Sequence, residues 1–209
     1  AVTLIMGLKI EDNSYTGTEY MPDARISWRA SATDFLWGAI SRAARTPSRF
    51  DRDLVNPGLL AGGPDFTSEG VVAYEIGYRA QPTAASTISI SAFYNVYDNL
   101  RSVEFSTPLG FPLVVRNDMK GETFGVELWG NYELSDWWRL SAGLSTLHKD
   151  LRFLPGTRDP FGVAFAGNQI PAGRISAIAN RILNDPSIYP LPNRTVSGGI
   201  SGNFVGETL

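Results

Sequence analysis

The chain has 209 residues, 43% of them hydrophobic, no cysteine, and a formal net charge of −3. That mild acidity gives no basic footprint for nucleic acid, so a nucleic-acid partner is not expected. No apolar run of about 18 residues occurs, which excludes a helical membrane span but leaves a β-barrel open.

Eight stretches alternate apolar and polar residues: Val2–Glu11, Met21–Ala30, Phe35–Ala44, Val71–Ala80, Ile88–Leu100, Thr123–Tyr132, Trp138–His148 and Thr195–Val205. Their connections alternate in length. Ser31–Asp34, Gln81–Ser86 and Glu133–Asp136 are tight; Arg45–Gly70, Arg101–Glu122 and Lys149–Arg194 are long, and Asp12–Tyr20 is modest. One end of the structure is therefore expected to carry tight turns and the other long loops, the asymmetry of a transmembrane β-barrel.

The strands read as two-faced. Val72, Tyr74, Ile76, Tyr78 and Ala80 share one side of their strand, and Ala73, Glu75, Gly77 and Arg79 the other. Leu140, Ala142 and Leu144 alternate likewise with Arg139, Ser141 and Gly143, and Val126 and Leu128 with Glu127. Period two with one wet face marks a half-buried antiparallel strand. The apolar side is expected to meet lipid. Glu75, Arg79, Glu127 and Arg139 are expected to face a lumen and form cross-strand pairs on its wall. Trp28, Trp37, Trp137 and Trp138 gather near the tight turns, with Tyr132 beside them, as an interfacial girdle would. The stretch Arg174–Leu183 has helical spacing at Ile175, Ile178 and Ile182, and an irregular loop fits it equally.

No catalytic or metal constellation is evident. One histidine (His148) and no cysteine cannot assemble a His/Cys zinc site or a cysteine nucleophile, so neither an enzyme nor a cofactor site is expected. Arg42, Arg45, Arg49 and Arg52 cluster at a strand end and the start of a long loop, with Asp51 and Asp53 between them. Two readings stand: a self-paired charge cluster on the rim, or a cationic rim of Arg45, Arg49 and Arg52 that binds an anionic ligand.

Ser41-Arg42-Ala43-Ala44-Arg45-Thr46-Pro47, then Gly63-Pro64-Asp65-Phe66 with Glu69, then Tyr74-Glu75-Ile76-Gly77-Tyr78 follow one another in order. Phe93-Tyr94-Asn95 with Tyr97-Asp98, and Gly121-Glu122-Thr123-Phe124-Gly125-Val126-Glu127, come after them. This succession, over roughly Val2 to Leu151, resembles the mid-barrel of TonB-dependent outer-membrane receptors. Gly63 stands where that family often has Asn. The resemblance implies an all-β, up-and-down antiparallel segment of about eight strands, part of a barrel of about 22 strands with a plugged lumen. Residues 1–209 would be a partial barrel domain, without the plug and the closing strands. The parent protein would sit in the bacterial outer membrane. Its partners would be membrane lipid, a ferric siderophore or similar small ligand, and the TonB complex acting through the plug. A passive porin-like channel and a soluble β-sandwich are the competing expectations.

Overall fold

A computed structural model describes residues 1–107, 110–135, 138–155 and 194–204, the last by backbone alone. In chain order the elements are β1 (Val2–Asn13), β2 (Gly17–Arg29), β3 (Asp34–Arg45), α1 (Arg49–Asp53), β4 (Val55–Asn56) and β5 (Leu60–Ala61). There follow β6 (Glu69–Thr83), β7 (Ser86–Thr107), β8 (Gly110–Ser135), β9 (Trp138–Phe153) and β10 (Arg194–Phe204). Each long strand pairs antiparallel with the next long strand, giving one open meander that ends on β1 and β10.

The tight turns lie side by side at one end. Gln81 N–H donates to the Thr33 carbonyl at 2.9 Å, and Glu133 N–H donates to the Ala85 carbonyl at 2.8 Å. The helix α1 and the short strands β4 and β5 belong to the opposite end.

Two loop expectations change. The stretch Arg101–Glu122 is not an irregular loop: β7 and β8 continue through it, with Ser102 opposite Arg116 and Phe105 opposite Leu113. Val103 and Phe105 on one strand, and Leu113 and Val115 on the other, keep the alternation going. Irregularities between Tyr97 and Ser102 break its phase, and Asn99 sits there at a φ of 55°. Asp12–Tyr20 is likewise tighter than expected, since β1 and β2 pair up to Asn13 opposite Gly17. Asn13 closes that turn, its side-chain oxygen accepting from the Tyr15 and Thr16 amides. The Arg174–Leu183 stretch lies outside the described residues.

The register aligns the apolar residues in rows across the sheet. One row is Leu4, Ile26, Gly38, Ile76, Ala92 and Val126; the next is Met6, Ala24, Ile40, Tyr74, Tyr94 and Phe124. These side chains are uncovered: Ile76 is 63% exposed, and Leu4, Met6, Ile26, Tyr74, Val126 and Leu128 are exposed as well. A soluble sandwich would cover this face with a second sheet, and none lies there among the described residues. Buried apolar side chains among those residues are few, and Phe66, Val115, Met119 and Leu151 sit toward the end opposite the tight turns.

The opposite face carries Thr3, Ser27, Trp37, Gly77, Ser91 and Glu127 in one row, and Ile5, Arg25, Ala39, Glu75, Phe93 and Gly125 in another. Glycines opposite aromatic rings are its recurring device. A Cβ on Gly77 would overlap the Trp37 indole, one on Gly125 the Phe93 ring, and one on Gly143 the Trp129 indole. Each glycine lets a ring lie flat on the neighbouring strand and shield its backbone. Trp37 therefore sits on the polar face, and the expectation that it joins a lipid-level girdle is corrected. Its parity follows Gly77, which its apolar neighbour Leu36 masked in the sequence. Trp28, Tyr132 and Trp138 keep the apolar parity, and Trp137 lies outside the described residues. Trp129→Ala should cost about 0.2–1 kcal/mol, the worth of one cross-strand side-chain contact. A denaturant titration of the full-length protein in lipid measures it.

Candidate functional site

Three places are candidates for function: the apolar face, the polar face, and the folded loop at the rim.

The apolar face is bounded on β8 by Phe124 and Tyr132. The eight residue steps from one to the other span about 26 Å, or about 20 Å once tilted as barrel strands are. That is close to the apolar band of a membrane barrel, about 25 Å tall. At the rim side an aromatic row crosses the sheet: the Tyr74 and Tyr94 rings lie 6.3 Å apart, and Phe124 lies 4.7 Å from the His148 ring. Tyr94 turns its hydroxyl to Glu122 at 2.6 Å, so the ring lies in the apolar band and its oxygen meets charge. An open groove of about 550 Å³ crosses this face, with Gly38 and Ala92 among its lining and Ile26, Ile40, Tyr74 and Ile76 beside them.

On the polar face the register places Glu75, Arg79 and Glu127 with the small polar residues. Arg139 reaches Glu133 across the β8–β9 pair in an ion pair. Asn131 accepts from the Ser141 hydroxyl at 2.6 Å.

The rim loop, residues 46–68, is built around one carboxylate. Ser48-Arg49-Phe50-Asp51 forms a capping box, in which the Ser48 side chain meets the Asp51 amide and the Asp51 carboxylate meets the Ser48 amide at 2.9 Å. Asp51 is fully buried, at 0% exposure. Its carboxylate accepts from the Ser48 hydroxyl at 2.8 Å, Arg45 at 3.1 Å and Arg101 at 3.3 Å. Arg45 also pairs with Glu69, which accepts the Arg101 backbone amide at 2.6 Å. Burial pushes the Asp51 carboxyl up; the Ser48 hydrogen bonds and the Arg45 guanidinium together outweigh it and hold the group below the usual carboxylate range.

The loop is tied to its neighbours on both sides. Toward the β1–β2 turn, Tyr15 donates to Asp53 at 2.6 Å, Thr16 and Ser68 share a hydrogen bond of 3.0 Å, and Arg52 stacks over the Tyr15 ring. Accepting from the phenol, Asp53 raises the Tyr15 pKa above its ordinary value. Toward the β7–β8 hairpin, β5 pairs parallel with Leu113 and Val114 of β8. The Asn117 side chain clasps both the amide and the carbonyl of Thr67, at 2.7 and 3.1 Å. Gly63 lies so close to the Val115 carbonyl that a Cβ could not be added there.

The three candidate arginines thus differ. Arg45 is committed to Asp51 and Glu69, and its guanidinium lies over the Phe66 ring. Arg52 donates to the Phe66 carbonyl at 2.8 Å. Arg49 is 91% exposed, pairs loosely with Asp53 at 3.7 Å and lies near the Tyr15 phenol. Sequence reasoning missed Arg101 and Asn117 and named Glu69 only within the family motif; the partners of all three lie far away in sequence. The Ser48-x-x-Asp51 spacing was the one local signal for α1. Among the described residues, no group of three His, Cys, Asp or Glu side chains could hold a metal ion.

A family model described as "TonB dependent receptor-like, beta-barrel" matches residues 1–205. The chain belongs to that family. Solved receptor barrels share the fold at low identity. The siderophore receptor PirA from Pseudomonas aeruginosa is 18% identical with a TM-score of 0.61, over 73% of this chain and 34% of that one. A point variant of the ferric enterobactin receptor PfeA from the same organism, in complex with enterobactin, is 15% identical with a TM-score of 0.63, over 99% and 36%. The ferric yersiniabactin uptake receptor FyuA from Yersinia pestis is 18% identical with a TM-score of 0.57, over 91% and 24%. This receptor-barrel segment therefore spans 24–36% of the length of those three structures. No curated protein sequence matches it.

Proposed function

We propose that the chain is a wall segment, with its outer rim, of a receptor in the bacterial outer membrane that takes up a scarce small ligand, a ferric siderophore foremost. Uptake is driven by the inner-membrane TonB complex acting on a plug outside these residues. The observation that carries this reading is the uncovered apolar face, together with a folded, charged loop at one end and tight turns at the other. Lipid satisfies such a face, and the loop end is then the outside. The siderophores named for PirA, PfeA and FyuA support a chelate as ligand. OprC, named a copper transporter, also shares the fold, at a TM-score of 0.53.

Within the rim, Arg49 is the ligand-facing cation, while Arg45 and Arg52 hold the loop. Glu75, Arg79, Glu127 and Arg139 line the lumen. Arg49→Ala should weaken binding of an anionic ferric chelate about five- to tenfold, the worth of one exposed charge-assisted hydrogen bond near 1 kcal/mol. The effect should fade above about 0.5 M salt, where exposed charges are screened within a few ångströms.

The test is equilibrium binding of ferric catecholates, ferric hydroxamates and free Cu(II) to cells expressing the full-length receptor. Saturable binding of one ferric chelate is expected. Saturable uptake of Cu(II) alone replaces the ligand class. Unsaturable flux of small solutes, with none of the three bound, would establish a passive channel instead.

A further inference from the structure

The rim loop is fastened at its ends and by side chains along its length. Its ends meet: Arg45 and Glu69 are backbone partners at the top of the β3–β6 ladder and an ion pair as well. The ladder beneath is thus complete without residues 46–68. Regular structure inside the loop is slight, one helix of five residues and two strands of two residues each. Phe66 is its one buried large apolar side chain, while Phe50, Val55 and Leu59 are exposed, Val55 at 79%. Polar clips do the fastening: Asp51 holds Arg45 and Arg101 at the base of the loop, while Asp53, Ser68 and Thr67 hold Tyr15, Thr16 and Asn117. A segment with few buried apolar contacts and closed ends opens locally, as a unit, at far less cost than the sheet.

We propose that residues 46–68 are a latch lying between the β1–β2 and β7–β8 hairpins, pinned to β3 and β7 by the Asp51 carboxylate, and that it swings free as one piece when that carboxylate is neutralised. Closed, the latch makes the β1–β2, β3–β6 and β7–β8 ends one rigid rim. Open, it leaves the β3–β6 ladder paired and frees the Asn117 clasp and the Leu113–Val114 edge of β8. The rim then has two discrete arrangements.

The charged groups that face Asp51 are Arg45 from β3 and Arg101 from β7, with Glu69 of β6 behind both; α1 adds Arg49, Arg52 and Asp53. Protonation removes one charge and leaves two guanidiniums opposed. Because the folded-state pKa lies below the ordinary value, the fastening is complete above about pH 4 and is lost as pH falls through the folded pKa.

The experiment places spin labels at Ser14→Cys and Val55→Cys in the full-length receptor in lipid, and measures the distance between them. A second pair, Ala44→Cys and Asp98→Cys, reports on the sheet beneath. The expected result is one narrow distance for the first pair at pH 7 and a second, longer population at pH 3. Asp51→Asn shows that longer population already at pH 7 and loses the pH response, while the second pair stays unchanged throughout. Arg101→Gln, which removes a partner rather than the carboxylate, should populate the open form at pH 7 too. A narrow distance for the first pair at pH 3 and in both variants would overturn the latch. So would simultaneous broadening of both pairs, which would mean that the rim melts. Should neither variant insert, the wild-type comparison of the two pairs at pH 7 and pH 3 decides between these outcomes.

Discussion

Ile76→Arg should destabilise the full-length barrel in lipid by about 2–4 kcal/mol, the penalty for an arginine near the bilayer midplane. Ile76 stands in the middle of β6, between Gly38 and Ala92, and points from the uncovered face. Ser91→Arg, one residue out of phase on the next strand, should cost under about 1 kcal/mol, because only the lipid face imposes that penalty. Ser91 lies opposite Glu127, which gives a new guanidinium a carboxylate neighbour. Folding titrations of both variants in the same lipid check the pair. Equal penalties would mean that the two faces do not differ in solvent.

Asp51→Ala should loosen the rim locally by about 2–3 kcal/mol. Stripping one partner from a fully buried ion pair costs about 3–5 kcal/mol. The value is lower here because Arg45 and Arg101 keep part of their surface in water, which screens the charges left behind. Hydrogen exchange at pH 7 reads the effect on the Gly62, Gly63 and Leu113 amides, all bonded across the closed loop. About 30- to 150-fold faster exchange at these amides is expected, since 1.4 kcal/mol is tenfold. The Ile76 and Gly77 amides of the ladder should not change. Asp53→Ala, which removes an exposed carboxylate whose partners, Arg49 and the Tyr15 phenol, meet it at the surface, should act by about 1 kcal/mol or less.

The sheet was legible in the sequence because one uncovered apolar face and one polar face impose a strict period of two. Val72 to Ala80 carries it without interruption, and there the expected faces match the register. Where the period slips, reading failed. Between Tyr97 and Ser102 the irregular pairing shifts the phase, so the continued strands beyond it looked like loop. Trp37 misled for a related reason: neighbouring Leu36 and Trp37 are both apolar, and only pairing with Gly77 tells which one belongs to the apolar face. The rim was legible in composition alone. Four arginines and two aspartates announced a charge cluster, but its order depends on Arg101, fifty residues from Asp51. No local pattern encodes that meeting. The capping box at Ser48 and Asp51 did leave a trace, because it is a purely local device.

The central claim is that one face of this sheet meets lipid and the other meets water. Spin labels placed singly at each position from Val72 to Arg79 in the full-length receptor test it most directly. Relaxation by oxygen, which concentrates in lipid, and by a polar nickel chelate, which stays in water, is measured at every position. Oxygen should dominate at Val72, Tyr74, Ile76 and Tyr78, and the chelate at Ala73, Glu75, Gly77 and Arg79, in strict alternation. The chelate dominating at Tyr74 and Ile76, or no alternation along the strand, would contradict the account.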